Sequence, residues 1–99
     1  MDFRVSEWVI DERPEIVFQL NKAPEKIQKK YNLWKFLVRM SGPFLSTRGW
    51  RTEKLSGPLK KFYSARLDKK WRVIFEVEGK MKIIAVLTIT PHLYSRIKE

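Results

Sequence analysis

The clearest periodic pattern in the chain lies between Pro24 and Gly42, where apolar residues recur with the spacing of an α-helix. The intervals between them are four, three and four residues, which brings them onto one helical face. These residues are Ile27, Tyr31, Trp34 and Val38. The pattern predicts a helix that buries this face and ends at the Gly42-Pro43 pair.

The segment before this helix predicts a short strand followed by a shorter helix. Apolar residues flank polar ones at Phe3, Val5, Trp8 and Ile10, which favours a strand. The segment 11–15 then combines an aspartate, a proline and further acids, a composition suited to a helix N-terminus. We expect this first helix to run to about residue 22, where Ala-Pro interrupts it.

The C-terminal half predicts a meander of three strands after a long connection. Residues 42–58 are rich in glycine and proline and should hold at most a turn or a short strand near Trp50–Leu55. The predicted strands are Phe62–Leu67, Trp71–Val77 and Lys80–Thr90, joined at residues 68–70 and by a tight turn at Glu78-Gly79. Residues 93–99 have room for one or two helical turns.

A three-residue loop at 68–70 would fix the register of the first hairpin. It places apolar residues opposite one another on a single face, in the pairs Leu67 with Trp71, Ala65 with Val73, and Tyr63 with Phe75. The same register places Arg66 opposite Arg72 on the other face. Two like charges paired across strands repel, so this pair favours an anionic partner. The alternative is that Glu53, Glu76 or another carboxylate neutralises both arginines.

The charge of the chain is large and uneven. The formal net charge is +10, and residues 1–20 hold five acids against two bases, so the excess of cations lies in the remainder. Nucleic acid, an acidic membrane surface and an acidic protein all fit such a field. The basic residues of the helical region, Lys22, Lys26, Lys29, Lys30, Lys35 and Arg39, are also explained by a solvated helix face.

Several classes of site are excluded or weakened by composition. The chain has no cysteine and one histidine, so disulfides, thiolate zinc sites and cysteine nucleophiles are absent, and no cluster of metal ligands is evident. We expect no metal and no cofactor. The longest apolar run, residues 83–87, is far shorter than the roughly 18–20 residues that a membrane-spanning helix needs. We expect one domain over residues 1–99, soluble and cytoplasmic, without a membrane partner.

Three segments in order resemble the toxins of the RelE/ParE superfamily. They are LSGPLKKFYSARL at 55–67, WRVIF at 71–75 and ITPHLY at 89–94. The resemblance implies an α+β fold in which two N-terminal helices pack on a small twisted antiparallel sheet, in the order strand, helix, helix and three strands, with a short C-terminal helical turn. It also implies the toxin of a bacterial toxin–antitoxin pair, a metal-independent endoribonuclease that cleaves messenger RNA on the ribosome.

The resemblance assigns catalytic roles to four residues. Arg72 falls on a sheet arginine that contacts the scissile phosphate, and Arg66 on a neighbouring cationic position. Guanidinium groups suit both roles because they stay charged and bind phosphate with two donors. His92 follows the last predicted strand and would transfer protons near neutral pH. Tyr94 would orient the attacking group or stack on a base, although a structural role for either residue is the alternative.

Further cations are predicted to bind RNA because they alternate with aromatic residues along the chain. They are Lys54, Lys60, Lys61, Lys69 and Lys70. Ser64 departs from the pattern of the ribosome-dependent toxins, some of which have a lysine there, so one cation is missing.

Two other functions remain open at the level of sequence. One branch of the superfamily poisons DNA gyrase and keeps a similar sheet without a nuclease site, and a basic domain can bind RNA without cutting it. A toxin also implies an antitoxin, whose acidic helices or strands would wrap the chain and cover its basic face.

Overall fold

A computed structural model of the chain describes residues 7–91. Two helices follow a first strand, and four more strands follow the helices. The elements are β1 (Val9–Glu12), α1 (Pro14–Lys22), α2 (Glu25–Ser41), β2 (Glu53–Lys54), β3 (Phe62–Arg66), β4 (Trp71–Glu78) and β5 (Ile83–Pro91). Short 3-10 turns occupy Arg48–Trp50 and Gly57–Leu59. No helix within residues 7–91 is long and apolar enough to cross a membrane.

The five strands form one sheet in the order β1-β5-β4-β3-β2. Strands β2 to β5 pair antiparallel, whereas β1 pairs parallel with β5, so the sheet is mixed. The parallel pair arises because the chain leaves β1, forms both helices and the meander, and returns beside its own start. The predicted α+β architecture, with two helices packed on a small sheet, is confirmed, but the sheet is mixed and not antiparallel throughout as predicted. The predicted C-terminal helical turn lies outside the described residues.

The predicted core face of α2 is confirmed. Ile27, Tyr31, Trp34 and Val38 are each at most 1% exposed. The Trp34 ring lies 5.2 Å from the ring of Phe75 on β4, which places α2 directly against the centre of the sheet. Aromatic rings at this distance contribute packing beyond the apolar area that they bury.

The start of the chain differs from the prediction. The first described strand is β1, which begins at Val9, and residues 1–6 of the predicted strand lie outside the described residues. Asp11 belongs to β1 and does not cap α1, whose N-cap is Arg13 with no side-chain hydrogen bond. Pro14 does occupy the first turn of the helix, as predicted, because proline already has the backbone angle that this position requires.

The second half follows the predicted meander, with strand ends that differ by one residue except at the start of β5, which is three residues later than predicted. The predicted tight turn at residues 78–79 is a longer turn over residues 79–82, and β5 therefore begins at Ile83. Lys82 has a positive φ of 55° at the end of this turn. Opposite the step from Ile74 to Phe75 on β4, the partners on β5 are Thr88 and Val86, so Leu87 is the extra residue of a β-bulge and β5 bends at this point.

A hydrogen-bonded cluster joins α2 to β1. Glu12 Oε2 accepts a hydrogen bond from the Tyr31 hydroxyl at 2.6 Å and another from Lys35 Nζ at 3.0 Å. Burial first, and then the bond to Glu12, raise the pKa of Tyr31 well above its ordinary value, so the hydroxyl stays protonated and continues to donate. This cluster fixes the helical layer against the edge strand.

Candidate nucleic-acid interface

The two sheet arginines lie directly opposite each other, as predicted. Arg66 on β3 pairs with Arg72 on β4, and Arg72 pairs in turn with Thr90 on β5. Paired residues of adjacent strands share a face, so these side chains form a row across three strands. The neighbouring residues Ala65 and Val73 are fully buried towards the helices, which places the row on the opposite face of the sheet.

The guanidinium of Arg72 is held by the loop that joins β3 to β4. Its Nη1 donates to the carbonyl oxygens of Asp68 at 2.9 Å, Trp71 at 3.2 Å and Lys69 at 3.4 Å. A guanidinium carries five N–H donors, and all of these bonds come from one of its nitrogens. Arg72 is therefore positioned in advance with donors to spare, which suits a group that binds a phosphate.

The loop itself is fixed by Asp68. Its Oδ1 accepts hydrogen bonds from the backbone N–H groups of Lys70 and Trp71, both at 2.8 Å, and its Oδ2 lies 3.6 Å from Lys26 Nζ. Burial would raise the pKa of Asp68, but the two backbone N–H groups and Lys26 outweigh it and hold that pKa below its ordinary value. An ionised Asp68 thus shapes the loop whose carbonyls hold Arg72.

Neither carboxylate proposed at the level of sequence forms a salt bridge with the arginine pair. Within residues 7–91, no Asp or Glu oxygen lies within salt-bridge distance of Arg66 or Arg72. Glu76 lies 3.9 Å from Lys61 instead. Glu53 is exposed on β2 and pairs with Ser64, so it shares the face of the arginines.

Glu53 is a functional candidate that the sequence pattern did not identify. Its carboxylate is on the same face as the arginines, because Glu53 pairs with Ser64, which is two residues before Arg66 on β3. The strand that carries it is only two residues long, so no alternation of apolar and polar residues indicated its orientation. Only the pairing of β2 with β3 shows which face Glu53 occupies.

Ser64 is the position where the expected lysine is missing, and it is buried. Its side chain is on the arginine face, yet the residue is only 1% exposed, and its hydroxyl has no hydrogen-bond partner among the described residues. A small apolar cluster of Leu55, Leu59, Ile74 and Phe62 accounts for this burial on the same face. Residue 64 is therefore not part of the exposed surface beside the arginines.

The predicted lysines are distributed around the sheet. Lys69 and Lys70 lie in the loop that holds Arg72, and both are exposed. Lys60 and Lys61 precede β3. Lys61 Nζ lies 3.9 Å from a carboxylate oxygen of Glu76, and its neighbour Phe62 belongs to the apolar cluster. Lys54 pairs with Tyr63, and its Nζ lies 5.5 Å from the centre of that ring, so it lies on the helix side of the sheet. Of the five predicted lysines, only Lys69 and Lys70 belong to the loop whose backbone carbonyls hold Arg72.

His92 and Tyr94 lie outside the described residues. The described chain ends at Pro91, which pairs with Trp71, the residue before Arg72. The last described residue, Pro91, therefore lies next to the arginine row. Within residues 7–91 no group of three or more potential metal ligands is present. Chemistry available on the described part of this face consists of phosphate binding by guanidinium groups and proton transfer by a carboxylate.

Solved structures of toxins have the same fold as this chain. A RelE–RelB complex from Pyrococcus horikoshii matches with a TM-score of 0.72 and 21% identity, covering 88% of this chain and 97% of that one. YafQ from E. coli matches with a TM-score of 0.70 and 10% identity, covering 90% and 98%. YoeB in its complex with YefM from Staphylococcus aureus matches at 0.68 and 20%, covering 86% and 97%.

Comparisons of amino-acid sequence do not assign the chain to a family. No protein-family model matches the chain. No curated protein matches it either. The likeness to solved structures therefore establishes the architecture, and it covers nearly the full length of these three structures. The chain has the fold of the RelE, YoeB and YafQ toxins.

Proposed function

We propose that this chain is the toxin of a toxin–antitoxin pair and that it cleaves messenger RNA on the ribosome without a metal ion. The observation that carries the proposal is the Arg66–Arg72 pair. It stands on the face of the sheet away from the helices, with no carboxylate bridging it within residues 7–91. A repulsive pair of this kind contributes nothing to the sheet, and a phosphate group would satisfy both side chains.

The fold supports the same proposal. The similar structures include a RelE–RelB complex, a YoeB–YefM complex and a DinJ–YafQ toxin–antitoxin complex. A chain of this fold with a strongly cationic sequence suits binding to RNA and to an antitoxin alike. The partner that we propose is accordingly an antitoxin protein, together with messenger RNA and the ribosome.

Cleavage of RNA requires three kinds of group, and the chain supplies candidates for each. A base must remove the proton of the 2′-hydroxyl, cations must stabilise the charge that develops on the phosphorus oxygens, and an acid must protonate the leaving 5′-oxygen. Arg66 and Arg72 are the cations. Glu53 and His92 are the candidates for proton transfer, and Tyr94 is the candidate that orients the attacking group.

The test is induced expression with translation and DNA supercoiling followed in parallel. We expect translation to stop within minutes while supercoiling is unchanged, and messenger RNA to be cut in ribosome-bound samples. DNA damage with delayed translational arrest would instead identify a gyrase poison. Retarded migration of RNA in a gel without new 5′ ends would identify a domain that binds RNA and does not cleave it.

A further inference from the structure

A cleft at one end of the sheet lies between the turn that joins α1 to α2 and the loop that joins β3 to β4. Its volume is about 550 Å³, within the range of roughly 300–1,000 Å³ that small-molecule sites occupy in proteins. The residues that line it come from both segments and are Pro24, Lys26, Asp68, Lys69, Lys70 and Trp71. A cleft of this size has room for one nucleotide.

The apolar wall of the cleft consists of an indole ring and a proline ring. Trp71 begins β4, shares the helix side of the sheet with Val73, and is half-buried against the core. Pro24 is exposed at the start of α2. An aromatic ring that packs on a core and stays partly accessible is the kind of platform on which bases of single-stranded nucleic acid stack.

The charges in the cleft favour an anion. Asp68 is its one carboxylate, and both oxygens are engaged: Oδ1 accepts from the backbone N–H groups of Lys70 and Trp71, and Oδ2 lies 3.6 Å from Lys26 Nζ. Lys26 thus ties α2 to the loop and holds the two sides of the cleft together. Lys69 and Lys70 are exposed, and no carboxylate within residues 7–91 lies within salt-bridge distance of either. Both can therefore bind phosphate.

The loop between β3 and β4 separates the cleft from the arginine row. The carbonyl oxygens of Asp68 and Lys69 hold Arg72 Nη1 at 2.9 Å and 3.4 Å, whereas the cleft is lined by the same loop on its other side. Trp71 and Arg72 are consecutive residues of β4, so their side chains lie on opposite faces at the same end of the sheet. A strand of RNA held at Arg72 reaches the cleft by crossing this one loop.

We propose that the cleft is a second RNA subsite, in which one base of a single strand stacks on Trp71 while Lys69 and Lys70 bind the phosphates that cross the loop. The proposal rests on the proposed function, because it takes RNA as the ligand. A base fits better than an acidic protein helix, since the apolar wall is two rings wide and a helix needs a longer apolar groove. Stacking tolerates any base, so this subsite fixes the path of the strand without selecting a sequence.

The experiment compares two single strands of roughly ten nucleotides with the same phosphates, one made of uridines and one without bases. Both lack a free 2′-hydroxyl, so neither is cleaved. The wild type should prefer the uridine strand, and Trp71→Leu should reduce this preference about tenfold, because one stacked base is lost. Its affinity for the strand without bases should stay nearly unchanged. Replacing Lys69 and Lys70 with glutamine should weaken both strands by the same factor, because the phosphates are common to both.

Trp8→Leu is the matched control, because Trp8 is also half-buried against the core but directly precedes β1. It should keep the wild-type preference for the uridine strand. Circular dichroism melts show which variants are folded. Cross-linking of a 5-iodouridine strand to the wild type gives a second measurement that needs no variant, and the cross-linked peptide should contain Trp71.

An unchanged preference in Trp71→Leu, an equal loss in Trp8→Leu, or a cross-link at another segment would overturn the subsite. A wild-type chain that binds neither strand would overturn RNA as the ligand and the proposed function with it. Normal cleavage of messenger RNA without any preference that depends on Trp71 would overturn the subsite alone. Competition by a polyglutamate peptide that is lost in Trp71→Leu would instead assign the cleft to an acidic protein segment.

Discussion

At the scale of single residues, Arg72 and Arg66 differ in how firmly the protein holds their side chains. Arg72 donates to two loop carbonyls and to that of Trp71 at the start of β4, whereas no hydrogen bond from Arg66 to another described residue is present. A group that is held in place before binding loses less entropy when the phosphate arrives. We therefore expect Arg72 to contribute more to catalysis than Arg66, although the two are neighbours on the same face.

Replacing Arg72 with alanine should lower single-turnover cleavage of messenger RNA by roughly 10²–10³-fold, the usual effect of removing one donor that stabilises transition-state charge. The melting temperature should fall only slightly, because the lost bonds to loop carbonyls are partly exposed. Arg66→Ala should show a smaller loss of rate. Unfolding of Arg72→Ala, or wild-type cleavage by the double variant, would show that this face takes no part in the reaction.

His92 is the only histidine of the chain, and its role can be separated from that of Glu53. If His92 transfers a proton, His92→Gln should keep the affinity for RNA and slow cleavage by roughly 10²–10⁴-fold. The wild-type rate should vary with pH around neutrality, where an imidazole changes its charge, and the variant should lose this dependence. The measurement is the single-turnover rate between about pH 5 and pH 9.

Glu53→Gln is the matched comparison, because it removes a carboxylate from the arginine face and keeps the size of the side chain. Loss of activity in Glu53→Gln together with full activity in folded His92→Gln would assign the base to Glu53 and remove His92 from the chemistry. A lower melting temperature with an unchanged pH profile would instead show that His92 is structural.

At the scale of elements, the loop between β3 and β4 positions the guanidinium of Arg72. Asp68→Ala should lower the free energy of unfolding by about 1 kcal/mol, because two backbone N–H groups lose their acceptor. Asp68→Asn keeps an acceptor oxygen and should lose less. Chemical denaturation measures both effects, and slower cleavage by both variants should accompany them, since the carbonyls that hold Arg72 belong to this loop.

The stabilising effect of Asp68 depends on pH in a defined direction. Its pKa in the folded chain lies below the ordinary value of 3.8, so folding favours the ionised form. The stabilisation is fully present above about pH 3.8 and is lost as the pH falls through the lower, folded-state pKa. The difference in stability between the wild type and Asp68→Ala should therefore shrink below that pH, and a difference that persists unchanged would contradict this account.

The sequence predicted correctly those elements that depend on residues close together in the chain. The buried face of α2 follows from a spacing of three and four residues, and the β3–β4 register follows from the three residues of one loop. The start of β5 was displaced because the length of its turn depends on Lys82 adopting a positive φ. A lysine at such a position is uncommon, so residue type did not indicate the longer turn.

What sequence could not predict depends on contacts between distant segments. The parallel pairing of β1 with β5 joins residues 9–12 to residues 83–86, and no turn fixes its register. The burial of Ser64 and the orientation of Glu53 both follow from how residues 53–62 fold back over the sheet. This segment has no regular alternation, so the composition of the arginine face was predicted only in part.

At the scale of the whole molecule, the charge of +10 raises the question of whether RNA binds one face or the general cationic surface. Replacing Arg66 and Arg72 together with glutamine removes two positive charges from the sheet face. Replacing Lys22 and Lys29 with glutamine removes the same charge from the helical layer, where both lysines are exposed. The two double variants have equal net charge, so any difference between them reports where the phosphates lie.

The measurement is the affinity for a single-stranded RNA made uncleavable by 2′-O-methylation, over a series of salt concentrations. Each phosphate contact with a single strand contributes about 0.7 to the slope of log affinity against log salt. Loss of both arginines should therefore reduce the slope by about 1.4, whereas the Lys22 and Lys29 double variant should keep the wild-type slope. Equal reductions in the two variants would mean that RNA is held by net charge alone, and the arginine row would then have no special place in binding. A reduction confined to the arginine variant would place the RNA on the sheet face and leave the cations of α1 and α2 free for an acidic partner.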